Sequence, residues 1–200
     1  MKSNRWLYTA VLFLLAALIT VEGCCCTGDY DKYTLKKGIA HFSFEYPCSF
    51  DRCGSEINDD DGFTLIHLCG PYHKSVEDRT WLSVFVQTSD DPGFLDPERA
   101  LKQDISHNEK FLDYRLIERS SVNVAGIEGQ QIIYFYNRER PGSLDPGFIP
   151  GVGPAPTIAR EIYFCDEGRI WDLHFSSNES TAEADMADFE HMLETFTILN

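Results

Sequence analysis

Alternation of apolar and polar residues dominates the chain and predicts a β-sheet. Residues 39–47 (IAHFSFEYP) place small or aromatic side chains at every second position, as in a strand with one buried face, and Pro47 ends the strand. Six further segments are rich in β-branched and aromatic residues and are also predicted strands: 63–69, 80–88, 115–124, 129–137, 157–166 and 169–176. Links of hairpin length, such as Asp166-Glu167-Gly168, indicate a mainly antiparallel sheet.

Two helices are predicted from their first turns. In the first, Asp96 caps the amino end, Pro97 occupies the first turn, and helical spacing of apolar residues continues to Phe111. The second begins at Ser180, with Glu183 three residues later as in a capping box. Strands and helices together predict an α+β fold.

A short apolar leader precedes this region. Residues 6–21 (WLYTAVLFLLAALITV) follow Lys2 and Arg5, and sixteen residues suit the apolar part of a signal peptide better than a bilayer span of about 20. Residues 1–23 are therefore a predicted signal peptide. Cleavage would precede Cys24.

Cys24 is the predicted site of membrane attachment. Val21-Glu22-Gly23-Cys24 resembles a bacterial lipobox, in which the cysteine carries lipid. Two or three acyl chains would hold the protein almost permanently at the outer face of the membrane. Residues 24–34 are the predicted lipidated polar tether, and residues 35–200 form one domain. Simple secretion and an uncleaved anchor are the alternatives.

Composition and charge narrow the function classes. The chain is 43% hydrophobic and 13% aromatic, as in a globular protein, and its net charge is −15. Such a surface repels nucleic acid and anionic lipid and favours cationic partners or metal ions, although solubility alone also explains it.

Four cysteines of the predicted domain are disulfide candidates in an oxidising exterior. Cys48 and Cys53 flank a tight loop and suggest a local bridge, whereas a bond between Cys69 and Cys165 would close a loop of about 100 residues. Sequence alone leaves the connectivity open. In a reducing compartment all four would be buried thiols.

A loop rich in proline and glycine interrupts the strands at residues 139–157. Residues 141–157 (PGSLDPGFIPGVGPAPT) contain nine Pro or Gly among seventeen, which excludes a central strand. Its apolar side chains are candidates for binding a partner or for folding back on the domain: Leu144, Phe148, Ile149 and Val152.

Metal-binding patterns are weak. Asp59, Asp60 and Asp61 are candidates for a divalent cation, but the spacing fails that of an EF-hand because Ile57 and Leu68 occupy ligand positions. A solvated acidic turn is the alternative. Three histidines lie on predicted strands, where zinc ligation competes with an incidental role: His41, His67 and His174.

Common enzyme signatures are missing from the sequence. It has no G-x-S-x-G elbow, H-E-x-x-H helix, C-x-x-C pair or P-loop. This pattern predicts a non-catalytic protein without a cofactor.

Both ends of the predicted domain resemble the PsbP-like family. Residues 42–47 (FSFEYP) are similar to its opening strand, and residues 168–198 are similar to its closing hairpin, helix and terminal segment. The resemblance implies an α-β-α sandwich around a central antiparallel sheet and an accessory or binding role. Phe50 and Thr195 depart from the family pattern, which puts a photosynthetic role in doubt.

The sequence therefore predicts a membrane-anchored extracytoplasmic lipoprotein whose domain binds an envelope protein or a small ligand. The alternative is a metal- or substrate-handling extracytoplasmic enzyme of unknown reaction.

Overall fold

The computed structural model describes residues 28–58, 60–71, 79–137 and 156–199. In these residues ten strands and two helices follow one another along the chain: β1 (Tyr30–Lys37), β2 (Ala40–Pro47), β3 (Asp51–Asn58), β4 (Phe63–Cys69), β5 (Trp81–Thr88), α1 (Pro97–Asn108), β6 (Leu112–Val124), β7 (Ile127–Asn137), β8 (Pro156–Asp166), β9 (Arg169–Asn178), α2 (Ala182–Thr195) and β10 (Thr197–Ile198). Neither helix is long and apolar enough to cross a membrane.

The strands form two antiparallel sheets. The larger sheet has seven strands in the order β3-β4-β5-β9-β8-β7-β6, and the smaller has three in the order β1-β2-β10. Every strand pairing within these two sheets is antiparallel. The predicted α+β class with a central, mainly antiparallel sheet is confirmed.

The main core lies between the seven-stranded sheet and a layer made of the small sheet and α2. Phe42 and Phe196 stack at 5.7 Å between ring centroids, and the fully buried Trp171 of β9 meets both rings edge-on. Apolar alternation along β2 and β9 supplies Phe42 and Trp171, and Phe196 follows the end of α2.

Helix α1 covers part of the opposite face of the seven-stranded sheet. Leu101 is fully buried there against Ile132, Tyr134 and Ala159 of β7 and β8. Asp96 caps the helix as predicted, since its side chain accepts a hydrogen bond from the Glu98 N–H at 3.0 Å. The described helix ends at Asn108, three residues before the predicted end.

Two predicted local structures are wrong. Residues 30–34, assigned to the tether, begin β1 and pair with β2. The capping box at Ser180 does not form, because the Ser180 hydroxyl donates to Asn178 Oδ1 at 2.7 Å, and Thr181 occupies the cap position without a side-chain bond.

The suggested disulfide pairs are also wrong. Cys53 bonds to Cys69, because β3 and β4 form a hairpin that places the two Cα atoms 5.8 Å apart. Cys165 is free and its thiol donates to the Leu95 carbonyl at 2.8 Å. It lies on β8, three strand spacings or roughly 14 Å from β4, beyond the reach of a disulfide to Cys69. Cys48 is disulfide-bonded, but not to Cys53.

Candidate functional site

An open cleft lies on the α1 side of the seven-stranded sheet. Because α1 packs on β7 and β8, it leaves the neighbouring faces of β9, β5 and β4 uncovered by the described residues. The cleft has a volume of about 370 Å³. Its lining combines polar, acidic and aromatic side chains: Leu65, His67, Trp81, Ser83, Phe85, Asp104, Glu161, Tyr163, Asp172, His174 and Ser176.

Strand register arranges these side chains in rows across the sheet. His67 pairs with Ser83, Ser83 with His174, and His174 with Glu161, so four polar residues from four strands form one row. The next row joins Leu65, Phe85, Asp172 and Tyr163. Antiparallel pairing brings such partners within side-chain contact.

Short polar contacts fix the first row. His174 Nδ1 lies 2.5 Å from Glu161 Oε1, and the Tyr134 hydroxyl donates to the same oxygen at 3.1 Å. On the other side of the row, His67 Nδ1 lies 2.7 Å from Ser83 Oγ. Glu161 is therefore oriented from two strands.

Burial perturbs the acidic groups of the cleft. It raises the pKa of the Glu161 and Asp172 carboxyls well above their ordinary values, and the charge of neighbouring carboxylates adds to the shift. Burial also raises the pKa of Asp104 on α1 to about 6, against the opposing effects of His174 and of a hydrogen bond from Asn108.

Histidine protonation is disfavoured at the other end of the row. Burial lowers the pKa of His67, and the nearby His174 lowers it further. Groups with shifted pKa values that gather in a cleft are typical of a functional site.

An aromatic wall faces the acidic groups. Trp81 is half-buried and meets the His67 ring edge-on, with 6.5 Å between the ring centroids. The ring centroids of Phe85 and Phe63 are 6.2 Å apart. These rings lie on the open half of the sheet. They give the cleft apolar surface beside its carboxylates.

The structure brings together two of the three candidate histidines. His67 and His174 both line the cleft, whereas His41 is exposed on β2. Asp60 and Asp61 lie in the turn between β3 and β4, where the Asn58 side chain donates to Asp61 Oδ2 at 2.5 Å. Among the described residues, no three His, Cys, Asp or Glu side chains converge to hold a metal ion.

Several predicted site residues fall outside the described part of the chain. They are Cys24, Asp59 and the loop residues Leu144, Phe148, Ile149 and Val152. Their roles in lipidation, cation binding and partner binding remain predictions.

Sequence reasoning missed Asp104, Glu161 and Asp172, the acidic groups of the cleft. A usable signal was present, because the predicted turn at residues 166–168 fixes the hairpin register and sets Glu161 opposite His174. Two ionisable residues that lie opposite each other on neighbouring strands of a mostly apolar hairpin indicate a functional site.

No family model matches the sequence, and no curated protein sequence matches it. The fold, however, is shared with solved structures. LpqN of Mycobacterium tuberculosis, involved in cell envelope biogenesis, has a TM-score of 0.55 at 10% identity, over 86% of this chain and 93% of LpqN.

Two further structures have the same fold. PsbP of the cyanobacterium Synechocystis (CyanoP) has a TM-score of 0.53 at 13% identity, over 88% of this chain and 97% of its own. The Ran-binding protein Mog1p of Saccharomyces cerevisiae has a TM-score of 0.52 at 10% identity, over 86% and 96%. The domain therefore has a PsbP-like fold.

Proposed function

We propose that the protein is an exported lipoprotein whose PsbP-like domain binds a partner or ligand in the open cleft, without catalysing a reaction. One observation carries the proposal: half of one sheet face presents aromatic and acidic side chains that α1 leaves uncovered. A concave surface that combines apolar area with a few oriented polar groups is typical of a binding site.

The related folds support a binding role. Mog1p binds Ran, and LpqN is involved in cell envelope biogenesis. In this chain the leader directs the same fold to the outside of the cell, where the partner would be an envelope protein or a small ligand.

Anchoring at Cys24 would keep the domain close to the membrane. Strand β1 begins at Tyr30, so six peptide units separate it from Cys24 and span at most roughly 20 Å. The cleft would then meet its partner near the membrane surface.

Site-specific photo-crosslinking in the native host tests this function. A benzoylphenylalanine at Phe85 places the probe in the cleft, and one at the exposed Leu116 on β6 is the control. We expect a discrete cross-linked product from position 85 and none from position 116. Equal labelling at the two positions, or none at either, would contradict the proposal.

An enzyme is the second candidate, favoured by the contact between His174 and Glu161 inside the cleft. A histidine that a carboxylate orients is a common general base. Turnover of a compound that occupies the cleft, abolished in His174→Gln with the fold intact, would replace the binding function with this one. Occupancy without turnover supports the first candidate.

A further inference from the structure

We propose that the cleft binds an organic cation, an alkylammonium or guanidinium group, through the carboxylates of Glu161 and Asp172. This inference rests on the proposed binding function and specifies the ligand class. It is carried by two buried acceptor atoms, by the aromatic wall and by the surrounding charge.

Two buried carboxyl oxygens lack a hydrogen-bond donor. Glu161 is only 6% exposed, and its Oε2 receives no hydrogen bond, although its Oε1 accepts from Tyr134. Asp172 Oδ1 is also buried without a donor. Both residues line the cleft. Because an unsatisfied buried acceptor is costly, the pair favours a ligand that brings N–H groups.

A proton shared by Glu161 and Asp172 offsets their negative charge before a cation binds. Glu161 and Asp172 are diagonal neighbours on β8 and β9, since Glu161 pairs with His174 and Tyr163 with Asp172. Burial raises the pKa of both carboxyls, and the charge of Glu161 raises that of Asp172 further, so the pair retains a proton. A cation that enters takes the place of this proton, which leaves for solvent, and both groups become carboxylates.

The charge around the pair favours a cation. Asp104 faces it from α1, and the phenols of Tyr134 and Tyr163 face it from β7 and β8. His174 and His67 are the only basic side chains among the residues that line the cleft, and neither Lys nor Arg lines it. A net charge of −15 attracts cations at longer range.

The aromatic wall favours an organic cation over a metal ion. Trp81, Phe85 and Tyr163 line the cleft, and their ring faces attract ammonium and guanidinium groups while they supply no metal ligand. The volume of about 370 Å³ accommodates a group of about amino-acid size.

Calorimetric titration of the purified protein tests the inference. The probes are putrescine, agmatine and the peptide Gly-Lys-Gly, and 1,4-butanediol is the neutral control of similar length. We expect the cations to bind and the diol to fail. Affinity should rise about tenfold per pH unit while the shared proton is present, with close to one proton released per cation bound.

Two matched variants distinguish binding by the cleft carboxylates from nonspecific attraction by the negative charge of the protein. Asp172→Asn keeps a donor beside Glu161 and should weaken cation binding at least tenfold and reduce the number of protons released on binding. Asp188→Asn on α2 removes the same charge away from the cleft, keeps an acceptor for the Tyr30 hydroxyl, and should change nothing. Circular dichroism confirms that each variant is folded.

The possible results have distinct meanings. Binding of Gly-Lys-Gly alone indicates a cation carried by a peptide, and binding of putrescine or agmatine indicates a free organic cation; both support the inference. Binding of the diol, absence of binding, or equal effects of the two variants would overturn it. If crosslinks at Phe85 persist in that case, the binding function stands and only the ligand class is wrong.

Discussion

Asp104 is a half-buried carboxyl on the inner side of α1, and its titration affects the stability of the fold. Burial raises its pKa to about 6, so between pH 4 and 6 the folded state holds a proton that the unfolded state has released. The free energy of unfolding therefore falls as the pH rises through this window.

We expect Asp104→Asn to increase the free energy of unfolding at pH 7 by about 1–2 kcal/mol and to leave it nearly unchanged at pH 4. Urea unfolding at the two pH values measures the difference. Glu128→Gln removes an exposed negative charge on β7 and should have little effect at either pH. An equal gain at both pH values would show that the pKa of Asp104 is not the cause.

The side chains of the cleft were only partly predictable from the sequence. His67 and His174 stand out as ionisable residues on strands, but Glu161 and Asp172 occupy positions that alternation assigns to a solvated face. Their burial depends on how far α1 extends over the sheet and on which strands lie side by side. Neither quantity is encoded in local periodicity.

Close approach of two strands makes Gly129 on β7 sensitive to substitution. A Cβ at this position would lie 2.6 Å from the Tyr163 carbonyl oxygen on β8. Gly129→Ala should lower the free energy of unfolding by about 1–3 kcal/mol, as in other overpacked sites. The control is Gly28→Ala, whose Cβ meets no atom within 4 Å. Thermal unfolding compares them, and equal melting temperatures would refute the predicted clash.

The hairpin of β3 and β4 is held by the bond between Cys53 and Cys69, which are 16 residues apart. Cys53 is exposed, so Cys53→Ser removes the bond with little loss of packing. We expect a decrease of about 3 kcal/mol in the free energy of unfolding, from the larger entropy of the unfolded chain.

Cys165→Ser is the matched control for this prediction, because Cys165 forms no disulfide. A reductant should lower the stability of the control protein and have a smaller effect on Cys53→Ser. Unfolding in urea measures both. If the reductant lowers the free energy of unfolding equally in Cys165→Ser and Cys53→Ser, the bond between Cys53 and Cys69 does not contribute to stability.

At the scale of elements, most of the predictable strands have one buried face, although β6 was predicted and is mostly exposed at the edge of the large sheet. Alternation identified β2 and the strands from β4 to β9, but it missed β1, β3 and the two-residue β10. Strand β3 lies at the edge of the large sheet and is mostly exposed, so its sequence (DRCGSEIN) carries no apolar period. Pairing with a neighbour, which local pattern does not report, makes it a strand.

The whole molecule is proposed to attach to a membrane through Cys24. Cys24→Ser should move the protein from the membrane fraction to the soluble exported fraction of its host, because the lipid would supply most of the binding energy. Immunoblots of the two fractions measure this, with Cys165→Ser as the control. Retention of Cys24→Ser in the membrane fraction would point to an uncleaved leader or to another contact.

The small sheet determines how the domain would respond to a pulling force if it is attached to a membrane through Cys24. If the chain is tethered at its amino end while a partner holds the cleft, tension enters at β1 and separates it from β2 pair by pair, starting at Tyr30 and Pro47. Two hydrogen bonds hold this end of β1 in place. The Cys48 N–H donates to the Asp29 carbonyl at 3.0 Å, and the Tyr30 hydroxyl donates to Asp188 Oδ1 at 3.0 Å. Cys48 at this end is also disulfide-bonded, so these hydrogen bonds set the force at which the domain begins to separate only once that disulfide is reduced.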